Sequence, residues 1–176
     1  MKRDYLFFLL LGFLLLTAES ALGDSASIFG VRIDGLYALI VWFGVRTPMP
    51  EGLTPVLLLG VMAEGLTALH PGLFIGAYTL AYLMVRYVVR HLMYTSMLHK
   101  ILLVLFVSMN GSVIILAGGG HAELVWPSGV IQTLLNGMSA PFFFIFFQWL
   151  YNIVISQDKF SDSGTTNAHF RHKGNS

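Results

Sequence analysis

Long stretches of this chain are apolar on every face, and no other feature limits its fold as strongly. Residues 6–16 read LFFLLLGFLLL and residues 101–107 read ILLVLFV, with no polar stripe that could face water. A helix that is hydrophobic all round is buried in lipid or against other helices. Of the 176 residues, 56% are hydrophobic and 11% charged, against about 25% charged in an average soluble domain. The expectation is an all-α, polytopic membrane protein forming one bundle, with no room for a second folded domain.

Six apolar blocks are expected to be transmembrane helices, at 5–18, 33–45, 53–69, 72–89, 101–117 and 130–155. The first follows Met1, Lys2 and Arg3 and ends near small residues, as a secretory signal also would. It is read as a retained helix because further apolar segments follow. The intervening segments break helices: Pro48, Pro50 and Gly52 after the second block, a His70-Pro71-Gly72 turn after the third, and three glycines, 118–120, after the fifth. Residues 90–100 form a basic connector. Residues 157–176 are polar and poor in aliphatic side chains, and are expected to be a disordered tail.

Lysine and arginine set the orientation. Six crossings put both termini on one side, together with the connectors 46–52 and 90–100. That side holds nine of the ten basic residues: Lys2, Arg3, Arg46, Arg86, Arg90, Lys100, Lys159, Arg171 and Lys173. The other holds Arg32. The bias places the N- and C-termini in the cytoplasm.

Glu64 is the sharpest single residue, a carboxylate in an apolar block. It must be protonated, paired or turned toward protein or water. It reads either as part of an ion pathway or as a structural carboxyl bonded to a neighbouring helix. The second is favoured, since a relay needs several aligned ionisable groups. Arg32 and Asp34 stand at the outer end of the second helix, within reach of an Arg32–Glu64 or Arg32–Asp34 pair, or as interfacial charges in water. Gly72-x-x-x-Gly76 opens the fourth helix, with Ala77 and Ala81 extending a small face suited to internal packing or a homodimer contact. Asn110, Gly111 and Ser112 in the fifth helix, and Asn136 and Gly137 in the sixth, are candidates for interhelical bonds. Pro141 is expected to kink the sixth helix.

Catalytic templates fail. There is no H-E-x-x-H, no G-x-x-x-x-G-K-[ST] and no G-x-S-x-G. His70, His91, His99 and His121 fall at helix ends or in loops. No cysteine is present, which excludes disulfides and thiolate ligands. No basic run suggests nucleic acid. Neither catalytic residues, metal nor cofactor is expected.

Three segments carry a family resemblance. Residues 32–47 (RIDGLYALIVWFGVRT) look like a short second helix ending in an aromatic run. Residues 58–90 combine a small residue, the acidic Glu64, a turn at Pro71-Gly72, a small-residue patch through Gly76 and a closing Ala81-Tyr82. Residues 134–141 run from Asn136 to Pro141 at the entry to the last helix. Together they resemble MreD, the small integral membrane subunit of the bacterial rod-shape system, over roughly residues 5–155. Glu64 stands where that family more often has aspartate, and the polar tail is longer.

The resemblance implies a six-helix bundle similar to the substrate-binding S-components of energy-coupling-factor vitamin transporters, in the bacterial inner membrane. It implies a non-catalytic scaffold in cell-shape maintenance and lateral peptidoglycan synthesis. The scaffold would bind the membrane helix of MreC and link it to MreB filaments, RodA and a class B penicillin-binding protein. The residues it implicates are Arg32, Asp34, Glu64, Pro71, Gly72, Gly76, Tyr82, Asn136 and Pro141. The alternative is a vitamin-type transporter's substrate-binding subunit. Against it, the first helix lacks the A-x-x-x-A pattern by which such proteins commonly dock their coupling subunit.

Overall fold

The computed structural model describes residues 2–22, 34–66, 71–91, 96–118 and 129–170, with backbone alone from 155 onward. The described residues form α1 (Lys2–Leu22), α2 (Gly35–Arg46), α3 (Leu53–Leu66), α4 (Leu73–His91), α5 (Met97–Gly118) and α6 (Val130–Phe170), and no strand. Among the described residues, four stretches are long and apolar enough to cross a bilayer: Asp4–Ala21, Leu73–His91, Met97–Ile115 and Val130–Val154. The chain is therefore a helical membrane protein. At 12 and 14 residues, α2 and α3 reach only about 18 and 21 Å at 1.5 Å per residue. A hydrocarbon core of roughly 30 Å exceeds both.

The contact pattern explains why α2 can be short. It packs against α1, α4 and α5, and every residue from Gly35 to Gly44 is buried. Its all-round apolar sequence meets protein on all sides, so the length rule for lipid-facing helices does not govern it. Aromatic rings fill its flanks. Phe43 stacks on Phe8 of α1 at 4.1 Å, and Tyr37 meets Tyr78 of α4 edge-on at 5.8 Å.

Helix directions follow from bonds at the helix ends. The Tyr5 hydroxyl, at the start of α1, donates to Glu51 Oε2 at 2.9 Å, just before α3. The Tyr82 hydroxyl of α4 donates to the Thr47 carbonyl at 3.1 Å, just after α2. At the opposite end, the Gly35 amide that opens α2 donates to Glu19 near the end of α1 at 3.1 Å. Successive helices from α1 to α4 thus run antiparallel.

Two units divide the chain, one through Phe144 and one from Ile145. In the second, Phe146 stacks on Trp149 at 6.4 Å and Gln148 Nε2 donates to Asn152 Oδ1 at 2.8 Å. The expected end of the third helix at 69 falls outside the described residues. The last helix boundary moves: α6 continues to Phe170, past the expected end at 155. No proline follows Pro141, so nothing covalent stops the i→i−4 ladder there.

Candidate functional site

Several polar side chains of the first unit stand at the ends of its helices and address backbone groups that helix ends leave without partners. At the end where α2 and α4 begin, three carboxylates do this. Asp34 caps α2, its Oδ1 accepting the Leu36 amide at 2.9 Å. Glu19 accepts the Gly35 amide beside it. Glu64 Oε1 accepts two amides at the start of α4, Gly72 at 2.7 Å and Ile75 at 3.1 Å. Amide donors and the positive end of the helix dipole both favour an anion at these positions.

The other end is the complement. α2 cannot close its own ladder, because the amide that would bond the Gly44 carbonyl belongs to Pro48 and carries no hydrogen. Arg86 of α4 takes its place, donating from Nη1 to the Gly44 carbonyl at 3.0 Å. Arg46, in the last turn of α2, lies over the Trp42 ring at 4.2 Å. Tyr82, fully buried, donates to the Thr47 carbonyl, and a side chain at Gly52 would collide with its ring.

Near the carboxylate end, Asn136 joins three elements. Its Oδ1 accepts the Asp34 amide at 2.7 Å and its Nδ2 donates to Ser108 Oγ of α5 at 2.7 Å. Deeper in, the Tyr37 hydroxyl lies against Gly111 of α5, where any Cβ would overlap it. The Tyr37 and Ser112 hydroxyls are both buried without a hydrogen-bond partner among the described residues.

Of the residues singled out from sequence, Asp34, Glu64 and Asn136 thus lie at or near the carboxylate end, and Tyr82 at the basic end. Arg32, with both pairs expected for it, falls outside the described residues. Gly72 and Gly76 correct an expectation. Among the described residues they do not form an internal packing face: Gly72 takes φ +96° in the turn, Gly76 is exposed, and neither has a described atom within 4 Å of an added Cβ. Ala77 and Ala81, by contrast, turn inward. The close approach is made by Gly60 of α3, whose added Cβ would lie 2.8 Å from the Ile75 Cα. Pro71 is exposed beside Gly72 in the turn. Asn110 bonds within its own helix, to the Phe106 carbonyl at 2.7 Å. Pro141 lies within α6 and removes one ladder donor. Sequence reasoning missed Glu19, Tyr37, Gly60 and the link from Arg86 to Gly44; Pro48 after an apolar helix was the available signal for the last.

Among the described residues no group of three histidine, cysteine or carboxylate side chains could hold a metal ion. Comparison of the chain with family models, curated proteins and solved structures gave no match.

Proposed function

We propose that this chain is a non-catalytic scaffold subunit of the bacterial rod-shape system, similar to MreD. In this reading all six helices cross the inner membrane, α2 and α3 reaching the surfaces through their flanking turns, in a bundle of the S-component type with cytoplasmic termini. The bundle grips the single membrane helix of an MreC-like partner. It connects that partner to MreB filaments and to the RodA–penicillin-binding protein pair.

One observation carries the reading. Glu64, the one residue weighed for an ion pathway, and the ionisable groups Glu19, Asp34 and Arg86 each address a helix end: the three carboxylates accept amides, and Arg86 donates to a carbonyl. Such groups brace a bundle. The outer faces are left apolar, as along α1, where Leu6, Leu10 and Leu14 are 60%, 57% and 63% exposed. An apolar face of this kind can hold lipid or another span. The resemblance of residues 32–47, 58–90 and 134–141 supplies the identity of the partners.

Affinity capture of the tagged chain from mild-detergent membranes, followed by mass spectrometry, tests the proposal. A co-purifying single-span protein with a coiled coil and a periplasmic β-domain supports it. Paired ATPases with a coupling subunit sink it.

The second reading, a vitamin-type substrate-binding subunit, draws on the buried, unpartnered hydroxyls of Tyr37 and Ser112, which a small polar ligand could satisfy. Submicromolar binding of such a ligand to the purified chain would favour it over the scaffold.

A further inference from the structure

A groove of about 960 Å³ opens along the last turns of α4, beside the loop after α2 and the flank of α5. Its apolar wall includes Met49, Leu83 and Phe106, which are 44%, 37% and 53% exposed. Its polar rim is cationic, with Arg86 and Arg90 one turn apart and Tyr87 between them. Arg86 uses one guanidinium donor on the Gly44 carbonyl, while its buried Nε–H has no acceptor among the described residues. Five donors on a guanidinium leave this side chain with capacity for an anion.

From this juxtaposition we propose that the groove binds an anionic phospholipid of the surrounding leaflet, its phosphate on Arg86 and Arg90 and an acyl chain along the Leu83–Phe106 wall. The carbonyl end of α4 opposes an anion with about half a charge, which two full guanidinium charges outweigh. Glu51, the carboxylate of the adjacent loop, is held by Tyr5 of α1 and does not line the groove. A free phosphate would satisfy the cations and leave the apolar wall uncovered, whereas a lipid matches both. The rim also lies at the end of the apolar stretch Leu73–His91, where a spanning helix meets headgroups. Basic pockets between membrane helices recognise anionic headgroups in this manner.

Native mass spectrometry of the full chain in mild detergent tests the assignment, with dioleoyl phosphatidylglycerol and dioleoyl phosphatidylcholine titrated in parallel. The expected result is one tightly retained phosphatidylglycerol, favoured about thirtyfold over phosphatidylcholine, from two basic residues at about a fivefold contribution each. Arg90→Gln should lower that preference about fivefold, Arg90→Lys should largely keep it, and Lys100→Gln, outside the groove, should leave it unchanged. Arg90 is exposed, so its loss spares the fold. Equal retention of the two lipids overturns the proposal, as does an Arg90→Gln protein that binds as wild type does. A Lys100→Gln loss as large as that of Arg90→Gln overturns it in favour of diffuse surface charge. Displacement by equimolar inorganic phosphate overturns the lipid assignment, and a lipid-free dimer gives the groove to a second copy.

Discussion

Glu64 accepts the Gly72 amide at 2.7 Å, so a carboxylate two residues before the end of α3 caps the start of α4. The same oxygen accepts the Ile75 amide. A residue that stands out in sequence as a buried charge therefore works as a helix cap supplied by the preceding helix. Among the described residues, its hydrogen bonds go to backbone amides and not to another ionisable group.

Removing that cap should loosen the α3–α4 pair. Glu64→Ala is expected to destabilise the protein by about 1–2 kcal/mol, the range for losing a cap and its favourable helix-dipole term. Glu64→Gln keeps an oxygen acceptor and should lose about half as much. Thermal unfolding followed through tryptophan fluorescence would measure both. Equal stability of wild type and Glu64→Ala would show that α4 does not depend on this carboxylate.

The antiparallel order of α1 to α4 makes a prediction about sidedness. The chain has no cysteine, so single introduced cysteines report without background. Ser96 and Pro71 are exposed and stand at opposite ends of α4. With cytoplasmic termini, Pro71→Cys should react with a membrane-impermeant maleimide in intact cells, and Ser96→Cys only after permeabilisation. The reverse pattern would invert the topology, and labelling of both would break the alternation of crossings.

How much of this was legible beforehand depends on the kind of signal. The apolar blocks are a property of each segment alone, and all six helices lie where those blocks are. The role of Glu64 was not legible because the amides it accepts, those of Gly72 and Ile75, belong to the next helix, and spacing along one segment does not say which amides of another a carboxylate will meet. Gly72 and Gly76 have the spacing of a packing face, but spacing cannot reveal that Gly72 is needed for its positive φ. Gly60 and Gly111 have no spacing signature at all, since each is defined by the partner that fills its space. Candidate site residues suffered most from this limit, because Glu19, Asp34 and Asn136 come together only once α1, α2 and α6 are packed.

Asn136 should be the most sensitive of the polar links. Asn136→Ala removes two interhelical bonds and leaves the Asp34 amide without an acceptor. At about 0.6 kcal/mol per average membrane bond and at most about 1.7, the loss should be about 1–3 kcal/mol. Ser108→Ala removes one of the two bonds and should cost about half. In a double-mutant cycle by tryptophan-detected unfolding, the pair should couple by about 0.5–1 kcal/mol. Strict additivity would mean that the Asn136–Ser108 bond contributes nothing.

Tyr37 and Gly111 give the sharpest test of the interior, because two substitutions should act in opposite directions. The Tyr37 hydroxyl is buried without a partner among the described residues, and an unpaired buried donor costs about 1–3 kcal/mol. Tyr37→Phe keeps the ring contact with Tyr78 and removes only that oxygen, so it should stabilise the protein by about 1 kcal/mol. Gly111→Ala places a methyl group on the same hydroxyl and the ring edge that bears it, and overpacking of this kind costs about 1–3 kcal/mol. In the double variant Tyr37→Phe should recover part of that loss, since the nearest clashing atom is gone while the ring edge remains. Loss of stability in Tyr37→Phe alone would mean that the hydroxyl is satisfied by a bound molecule, and would strengthen the ligand-binding reading at the expense of the scaffold.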